Sequence, residues 1–105
     1  MNKIKKLFKE SINIKQEILN SNILNVIERM GDEISYSIKN GGKMMLCGNG
    51  GSASIANHLK CDFMKGIRTN TSLVPNVVSL STNIEIITAI SNDISYEEIF
   101  SYQLS

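Results

Sequence analysis

The glycine-rich segment Gly48–Ser52 is the feature that most restricts the fold. It follows the short apolar run Met44–Cys47, whose length and lack of alternation are typical of a strand buried on both faces. Ser52 is a favourable N-cap, and the pattern after it predicts a helix to about Lys65 that ends at Gly66. A buried strand, a tight turn and a helix in this order predict a parallel α/β sheet.

A second strand–helix unit follows along the chain. Pro75 disfavours helix immediately before it, so the next apolar run is predicted to be a second buried strand. The predicted elements are a loop over 68–72, a strand over Val77–Leu80, a helix over 83–91, a turn at Asn92-Asp93 and a helix from Tyr96 to Leu104. The last helix has an apolar face, formed by Ile99, Phe100 and Leu104, that we expect to be uncovered.

Two amphipathic helices precede the first strand. Apolar residues at three- and four-residue steps predict one helix from Lys3 to about Asn20 and another from Ile23 to the glycines at 41 and 42. We expect a packed helical hairpin over residues 1–40 and strand–helix units over 43–105, as parts of a single domain. Two parallel strands do not make a stable sheet alone, so further strands or a partner should complete it.

Composition excludes several classes of function. Eleven Lys and Arg against ten acidic residues give a formal charge of +1, too little to hold a nucleic-acid backbone. The local basic run favours a solvated helix face over a membrane-surface role; its members are Lys3, Lys5, Lys6 and Lys9. No apolar run approaches the roughly 20 residues of a membrane span, so we expect a cytoplasmic protein with reduced thiols at Cys47 and Cys61.

The turn at Gly48–Ser52 has two interpretations. A strand, a glycine-rich turn and a helix place free backbone N–H groups beside an anionic ligand such as a phosphorylated small molecule. The turn has neither the Gly-Lys-Ser/Thr of a Walker loop nor the spacing of a dinucleotide-binding fingerprint. Without those signatures, an ordinary tight turn explains the same residues equally well.

His58 and Asp62 are the candidate chemical pair. At four residues apart on one helix, both side chains can reach one point, as a shared metal ion or an acid/base pair requires. A helical projection places them beside a predicted buried stripe of Ile55, Leu59 and Phe63. The alternative is a structural contact between the two, or with Lys60 or Lys65. Cys61 is expected to pack, and Asn92-Asp93 to form an ordinary turn.

Several continuous strings resemble the phosphoheptose isomerase branch of the sugar isomerase (SIS) superfamily. The first is Gly42–Ala53 followed by Asn57-His58, whose Gly-Asn-Gly-Gly-Ser segment is fairly specific for that branch. The segments Val78–Thr82 and Thr88–Asp93 are similar to the second strand and the helix of the branch, and Tyr96–Phe100 to the next helix. The resemblance covers essentially the whole chain, as the N-terminal half of such a domain.

The resemblance implies a flavodoxin-like α/β sandwich that assembles as a homotetramer. It implies conversion of sedoheptulose 7-phosphate to glycero-manno-heptose 7-phosphate, in the pathway to the heptoses of lipopolysaccharide or capsule. Carried over by position, the substrate-binding residues are Asn49, Gly50, Gly51, Ser52, Asn92 and Asp93. His58 and Asp62 are the implied zinc ligands, and Asp62 is the implied catalytic residue.

Two departures from the branch qualify these expectations. Its second metal ligand is a glutamate that also transfers protons, whereas this chain has Asp62, which is one methylene shorter. The serine-rich phosphate loop of the branch, with further glutamine and histidine site residues, has no counterpart in these 105 residues. We therefore expect the isolated chain to be inactive, and a non-catalytic SIS module that binds a sugar phosphate or a protein partner is the alternative.

Overall fold

The computed structural model describes all residues from Met1 to Ser105 and divides the chain into two compact units, Met1–Ser35 and Tyr36–Ser105. Helices dominate both units. In chain order, the elements are α1 Asn2–Leu19, α2 Ile23–Lys39, β1 Lys43–Leu46, α3 Gly51–Cys61, a π-helical segment Asp62–Ile67, α4 Arg68–Asn70, β2 Asn76–Ser79, α5 Ile84–Asp93, a 3₁₀ turn Tyr96–Glu98 and α6 Ser101–Leu104. No helix combines the length and the apolar character that a membrane crossing needs.

The two N-terminal helices form where the apolar periodicity predicts them. Neither α1 nor α2 contains a buried residue, and side chains of the predicted stripes, such as Ile12 and Ile27, are half exposed. The expectation of a packed hairpin is therefore wrong in its packing, although both helices are present. The helix α2 ends as predicted, because Gly41 adopts a φ of +77°, where a residue without a side chain is favoured.

The sheet consists of β1 and β2, which pair in parallel as predicted. Their register places Met44 beside Val77 and Leu46 beside Ser79. The first strand alternates in exposure, and Met45 is 47% exposed, so the expectation that β1 is buried on both faces is wrong. The second strand contributes Val77 and Ser79 to the buried residues, which also include Leu80, Ala56, Ile90 and Ile99.

The helix after β1 is longer than predicted. It does not end at Gly66, because the π-helical segment and α4 continue it to Asn70, and the residues expected to form a loop are helical up to that point. Gly66 keeps a negative φ, so nothing in its backbone stops the helix. The helix ends at Thr71, which is extended and whose hydroxyl donates to the carbonyl of Ile67 at 2.6 Å.

The C-terminal segment is also partly covered. Ile99, expected to be uncovered, is only 3% exposed, while Leu104 is 56% exposed as predicted. The predicted final helix is broken into the 3₁₀ turn and α6. The amide of Gln103 donates to the carbonyl of Leu80 at 3.0 Å, which ties α6 to the end of the second strand.

Candidate functional site

The candidate site lies at the carboxyl ends of the two strands. Parallel pairing brings the residues that follow Leu46 and those that follow Ser79 to the same edge of the sheet. Ligands of open parallel α/β sheets bind outside this edge. The Gly48–Ser52 turn and residues 80–83 therefore occupy the position where a small molecule is expected.

Gly48 is held from two sides. Its N–H donates to the hydroxyl of Ser81 at 3.0 Å, and that hydroxyl donates to the carbonyl of Gly48 at 2.7 Å. On the other side, a Cβ at position 48 would lie 2.5 Å from the carbonyl oxygen of Ser52. Only glycine fits here, because any side chain would collide with the first turn of α3.

The helix α3 begins two residues earlier than predicted. Gly50, with a φ of +55°, is its N-cap, and no side chain caps the helix, so the prediction that Ser52 is the cap is wrong. The carbonyl of Asn49 accepts from the N–H of Ser52 at 2.9 Å, which closes the turn through the backbone instead. Glycine suits this N-cap position because it adopts a positive φ at little steric cost.

The predicted substrate-binding residues of this turn are open to solvent. Asn49, Gly50, Gly51 and Ser52 are all exposed, and a Cβ built on either of the two glycines would meet no atom within 4 Å. The N–H groups of Gly50 and Gly51 donate to no protein acceptor. The first turn of a helix leaves such donors unpaired, and they attract anions.

His58 and Asp62 are brought together, as their spacing predicts. Nε2 of His58 lies 3.5 Å from Oδ1 of Asp62, and the side chains are 76% and 56% exposed. The predicted buried stripe beside them is wrong: Ile55 is 63% exposed, and Ala56 is the buried residue of α3. The pair therefore lies on an open helix surface, where desolvation is small.

The pair does not by itself make up a zinc centre. No group of three His, Cys, Asp or Glu side chains in the chain is arranged to hold a metal ion. Zinc sites in proteins use three or four protein ligands. Cys61, expected to pack, is exposed and free, as is Cys47, and neither joins the pair.

Asn92 and Asp93 are not in a turn, which corrects the prediction. They are the last two residues of α5, and the Asn92 amide donates to Oδ1 of Asp93 at 3.0 Å. Both side chains are exposed. No glycine or proline interrupts α5 before this point, and Asn83 caps its start by accepting the N–H of Ile86 at 2.9 Å.

A hydrogen-bonded group behind the turn was not predicted from the sequence. The buried hydroxyl of Ser79 donates to Oδ1 of Asn57 at 2.6 Å and accepts the N–H of Ser81 at 3.3 Å, and the amide of Asn57 donates to the carbonyl of Ser81 at 3.4 Å. These residues lie in the strings that carry the resemblance, but contacts across 22 to 33 residues leave no local periodicity. The sequence signal that could have indicated this group was Asn57, a polar residue on the core side of α3.

Comparison with known proteins places this chain in one domain family. The SIS domain family matches residues 7–105. The phosphoheptose isomerase of Thermodesulfovibrio yellowstonii is 35% identical over 97% of this chain and 50% of its own length; that of Aneurinibacillus thermoaerophilus is 38% identical over 96% and 51%. The chain thus spans about half the length of the curated relatives it matches.

Solved structures give the same result for the fold. The phosphoheptose isomerase of Francisella tularensis matches with a TM-score of 0.79 at 29% identity, over 98% of this chain and 51% of that one. The enzyme from Neisseria gonorrhoeae matches with a TM-score of 0.74 at 31% identity, over 98% and 52%. The predicted α/β fold is confirmed, and the chain belongs to the SIS domain family.

Proposed function

We propose that this chain supplies the N-terminal half of a phosphoheptose isomerase site. The reaction is the conversion of sedoheptulose 7-phosphate to glycero-manno-heptose 7-phosphate. The relatives named phosphoheptose isomerase support this substrate, since they match nearly the whole chain. The observation that carries the proposal is the Gly48–Ser52 turn at the carboxyl edge of the sheet, with the N–H groups of Gly50 and Gly51 unpaired.

The substrate contacts fall into two groups in this proposal. Asn49, Gly50, Gly51 and Ser52 present backbone donors and short polar side chains, which suit the hydroxyl and phosphate oxygens of a sugar phosphate. Asn92 and Asp93 close α5 and offer an amide and a carboxylate to sugar hydroxyls. All six side chains or backbones are exposed, so none requires a rearranged core to reach a ligand.

The proposed chemistry is acid/base enolisation across the first two carbons of the ketose phosphate. Asp62 is the proposed proton-transfer residue, and its exposed carboxylate contacts His58 and no other charged group. The aspartate is one methylene shorter than the glutamate expected at this position. Catalytic geometry is sensitive to displacements of about 1 Å, so we expect reduced proton transfer even in a completed site.

Zinc binding is proposed only as weak. His58 and Asp62 supply two donors at 3.5 Å from one another, and two are fewer than the three protein ligands of catalytic zinc sites. Isothermal titration of the chain with zinc should show weak binding that His58→Ala abolishes. Unchanged zinc affinity in that variant would show that the metal binds elsewhere.

The cellular setting follows from the same resemblance. We propose a cytoplasmic homotetramer that provides heptoses for lipopolysaccharide or capsule. Exposed apolar residues on the helices, including Leu7, Phe8 and Ile23, support an assembled state, because single chains in water rarely leave so many uncovered.

Activity and binding separate this proposal from its alternative. Residues 1–105 alone should give no heptose phosphate, with or without zinc, because a missing catalytic group commonly costs about 10²- to 10⁴-fold in rate. Turnover should require addition of the C-terminal half of a relative's chain. Turnover by residues 1–105 alone that survives chelation and His58→Ala would contradict both the metal assignment and the half-site.

The alternative is a non-catalytic module that binds a sugar phosphate. The absence of a three-donor metal group and the shortened acid favour it. This alternative predicts calorimetric binding of sedoheptulose 7-phosphate, none of unphosphorylated sedoheptulose, and no turnover even after the complementary half is added. Turnover in the mixture would exclude it.

A further inference from the structure

Ser81 extends the sheet beyond its last backbone pair. The ladder between the strands ends where the N–H of Leu80 donates to the carbonyl of Leu46 at 2.8 Å. Past that point, the chain after β1 turns into α3, and no backbone partner remains for Gly48. The hydroxyl of Ser81 takes that place by bonding to both the N–H and the carbonyl of Gly48. One side chain thus satisfies both polar groups of one peptide residue.

The second half of the arrangement joins α3 to the same strand end. Asn57 accepts from Ser79 and donates to the carbonyl of Ser81, so the helix cannot rotate about its axis without breaking these bonds. Ser79 is 4% exposed, and the loss of partners at a buried hydroxyl is unfavourable. Asn57 precedes His58, so the same bonds also fix the direction in which His58 leaves the helix.

We propose that Ser81, supported by Asn57, is a positioning residue that holds the Gly48–Ser52 turn with its N–H groups open to a ligand. Ser81 touches no ligand in this scheme; it acts through Gly48. The inference rests on the proposed function for the identity of the ligand, but the hold on Gly48 is a property of the chain alone. A hydroxyl suits this position, because one oxygen both accepts from the N–H and donates to the carbonyl of Gly48.

Hydrogen exchange of the Gly48 amide tests this hold without any ligand. In the full chain, Ser81→Ala should speed exchange at Gly48 by about tenfold or more, because the Gly48 N–H loses its acceptor and the freed turn opens more often. Ser81→Thr keeps the hydroxyl and should exchange within about twofold of the parent. Thr88→Ala is the matched control, because its hydroxyl bonds only within α5.

Binding of sedoheptulose 7-phosphate to the chain mixed with the C-terminal half of a relative's chain, measured by calorimetry, is the second readout. We expect Ser81→Ala to weaken it by about tenfold and Ser81→Thr to restore it, a pattern that simple loss of stability does not give. Asn57→Asp keeps the acceptor for Ser79 and removes the donor to Ser81. Its affinity for the sugar phosphate should therefore lie between those of Ser81→Ala and Ser81→Thr. If Ser81→Ala does not fold, Asn57→Asp and Ser81→Thr decide the matter by the same exchange measurement.

The outcomes distinguish this inference from the proposed function. Unchanged Gly48 exchange in Ser81→Ala, or Ser81→Thr as impaired as Ser81→Ala, overturns the positioning role. Equal affinity of the parent and Ser81→Ala also overturns it. If the unsubstituted chain does not bind the sugar phosphate even in this mixture, the proposed function fails, and the exchange data alone support or overturn the role of Ser81.

Discussion

Neighbouring glycines in the Gly48–Ser52 turn have different surroundings. A Cβ at position 48 would meet the backbone of Ser52 at 2.5 Å, whereas one at position 51 would meet nothing within 4 Å. Gly50 has the open space of Gly51 but a φ of +55°. Position 48 is therefore restricted to glycine by lack of space, and position 50 is restricted by its backbone conformation. Position 51 has neither restriction.

Replacement of Gly48 should accordingly destabilise the chain. We expect Gly48→Ala to lower the free energy of unfolding by about 1–3 kcal/mol, because the backbone of α3 must move to admit the methyl group. Gly51→Ala, at the first position of the helix, should leave it unchanged or raise it by up to about 1 kcal/mol. Urea unfolding followed by circular dichroism measures both, and equal values for the two variants would refute the close approach.

The start of each helix near the site provides a second comparison. Asn83 accepts the N–H of Ile86, whereas Ser52 makes no capping bond to α3. Asn83→Ala should therefore lower the free energy of unfolding by about 0.5–2 kcal/mol. Ser52→Ala should change it by less than about 0.5 kcal/mol, the usual range for an exposed side chain without partners. A larger loss of unfolding free energy in Ser52→Ala than in Asn83→Ala would show that Ser52 caps α3.

At the scale of elements, the long helix after the first strand is the least expected feature. It passes through Gly66 as a π-helical segment and ends only at Thr71. Such segments absorb an extra residue into a helix and are often found near functional sites. This one begins at Asp62, so the regular helix ends where the candidate pair does.

Two glycines with space for a side chain test that description. Gly66 and Gly41 both have no atom within 4 Å of a built Cβ, but only Gly41 has a positive φ. Gly66→Ala should raise the free energy of unfolding by about 0.5–1 kcal/mol, as alanine favours helix. Gly41→Ala should lower it by about 1–2 kcal/mol, because the left-handed conformation disfavours a side chain. Destabilisation by Gly66→Ala would mean that the helix ends there after all.

Local patterns account for the elements that could be predicted. The three- and four-residue apolar steps of α1 and α2 and the short apolar runs of both strands depend on neighbours in sequence, so their positions are confirmed within a residue or two. The predicted ends of the helix after β1 and of α5 were wrong, because a glycine or an Asn-Asp pair permits a turn without requiring one. The pairing of His58 with Asp62 was predictable from one helical turn, whereas the bonds of Ser81 to Gly48 depend on the parallel register.

At the scale of the whole molecule, exposed apolar surface is the main observation. Within residues 36–105, Tyr102 and Ile86 line an open groove of about 440 Å³ with Ala89, Ile90 and Gln103. Leu104 and Met45 are also about half exposed. Both strands of the two-stranded sheet have an unpaired edge, which promotes association with other chains.

Self-association of the 105-residue chain is the expected consequence. Sedimentation velocity across a dilution series should show a mass that decreases on dilution, since apolar burial favours assembly. Leu104→Ser, on α6, should weaken association, because Leu104 is an apolar side chain that is 56% exposed. A monomer of constant mass at every concentration would show that these surfaces do not interact.

The bonds between Ser81 and Gly48 also set the smallest portion of this protein that can be transplanted. A loop grafted into another scaffold usually needs only matching end points. The Gly48–Ser52 turn needs more, because its shape depends on a hydroxyl that lies 33 positions later in the chain. A graft of the first strand and its helix would carry the glycines without that partner. The smallest segment suitable for grafting is therefore residues 43–83, which include both the turn and the second strand that holds it.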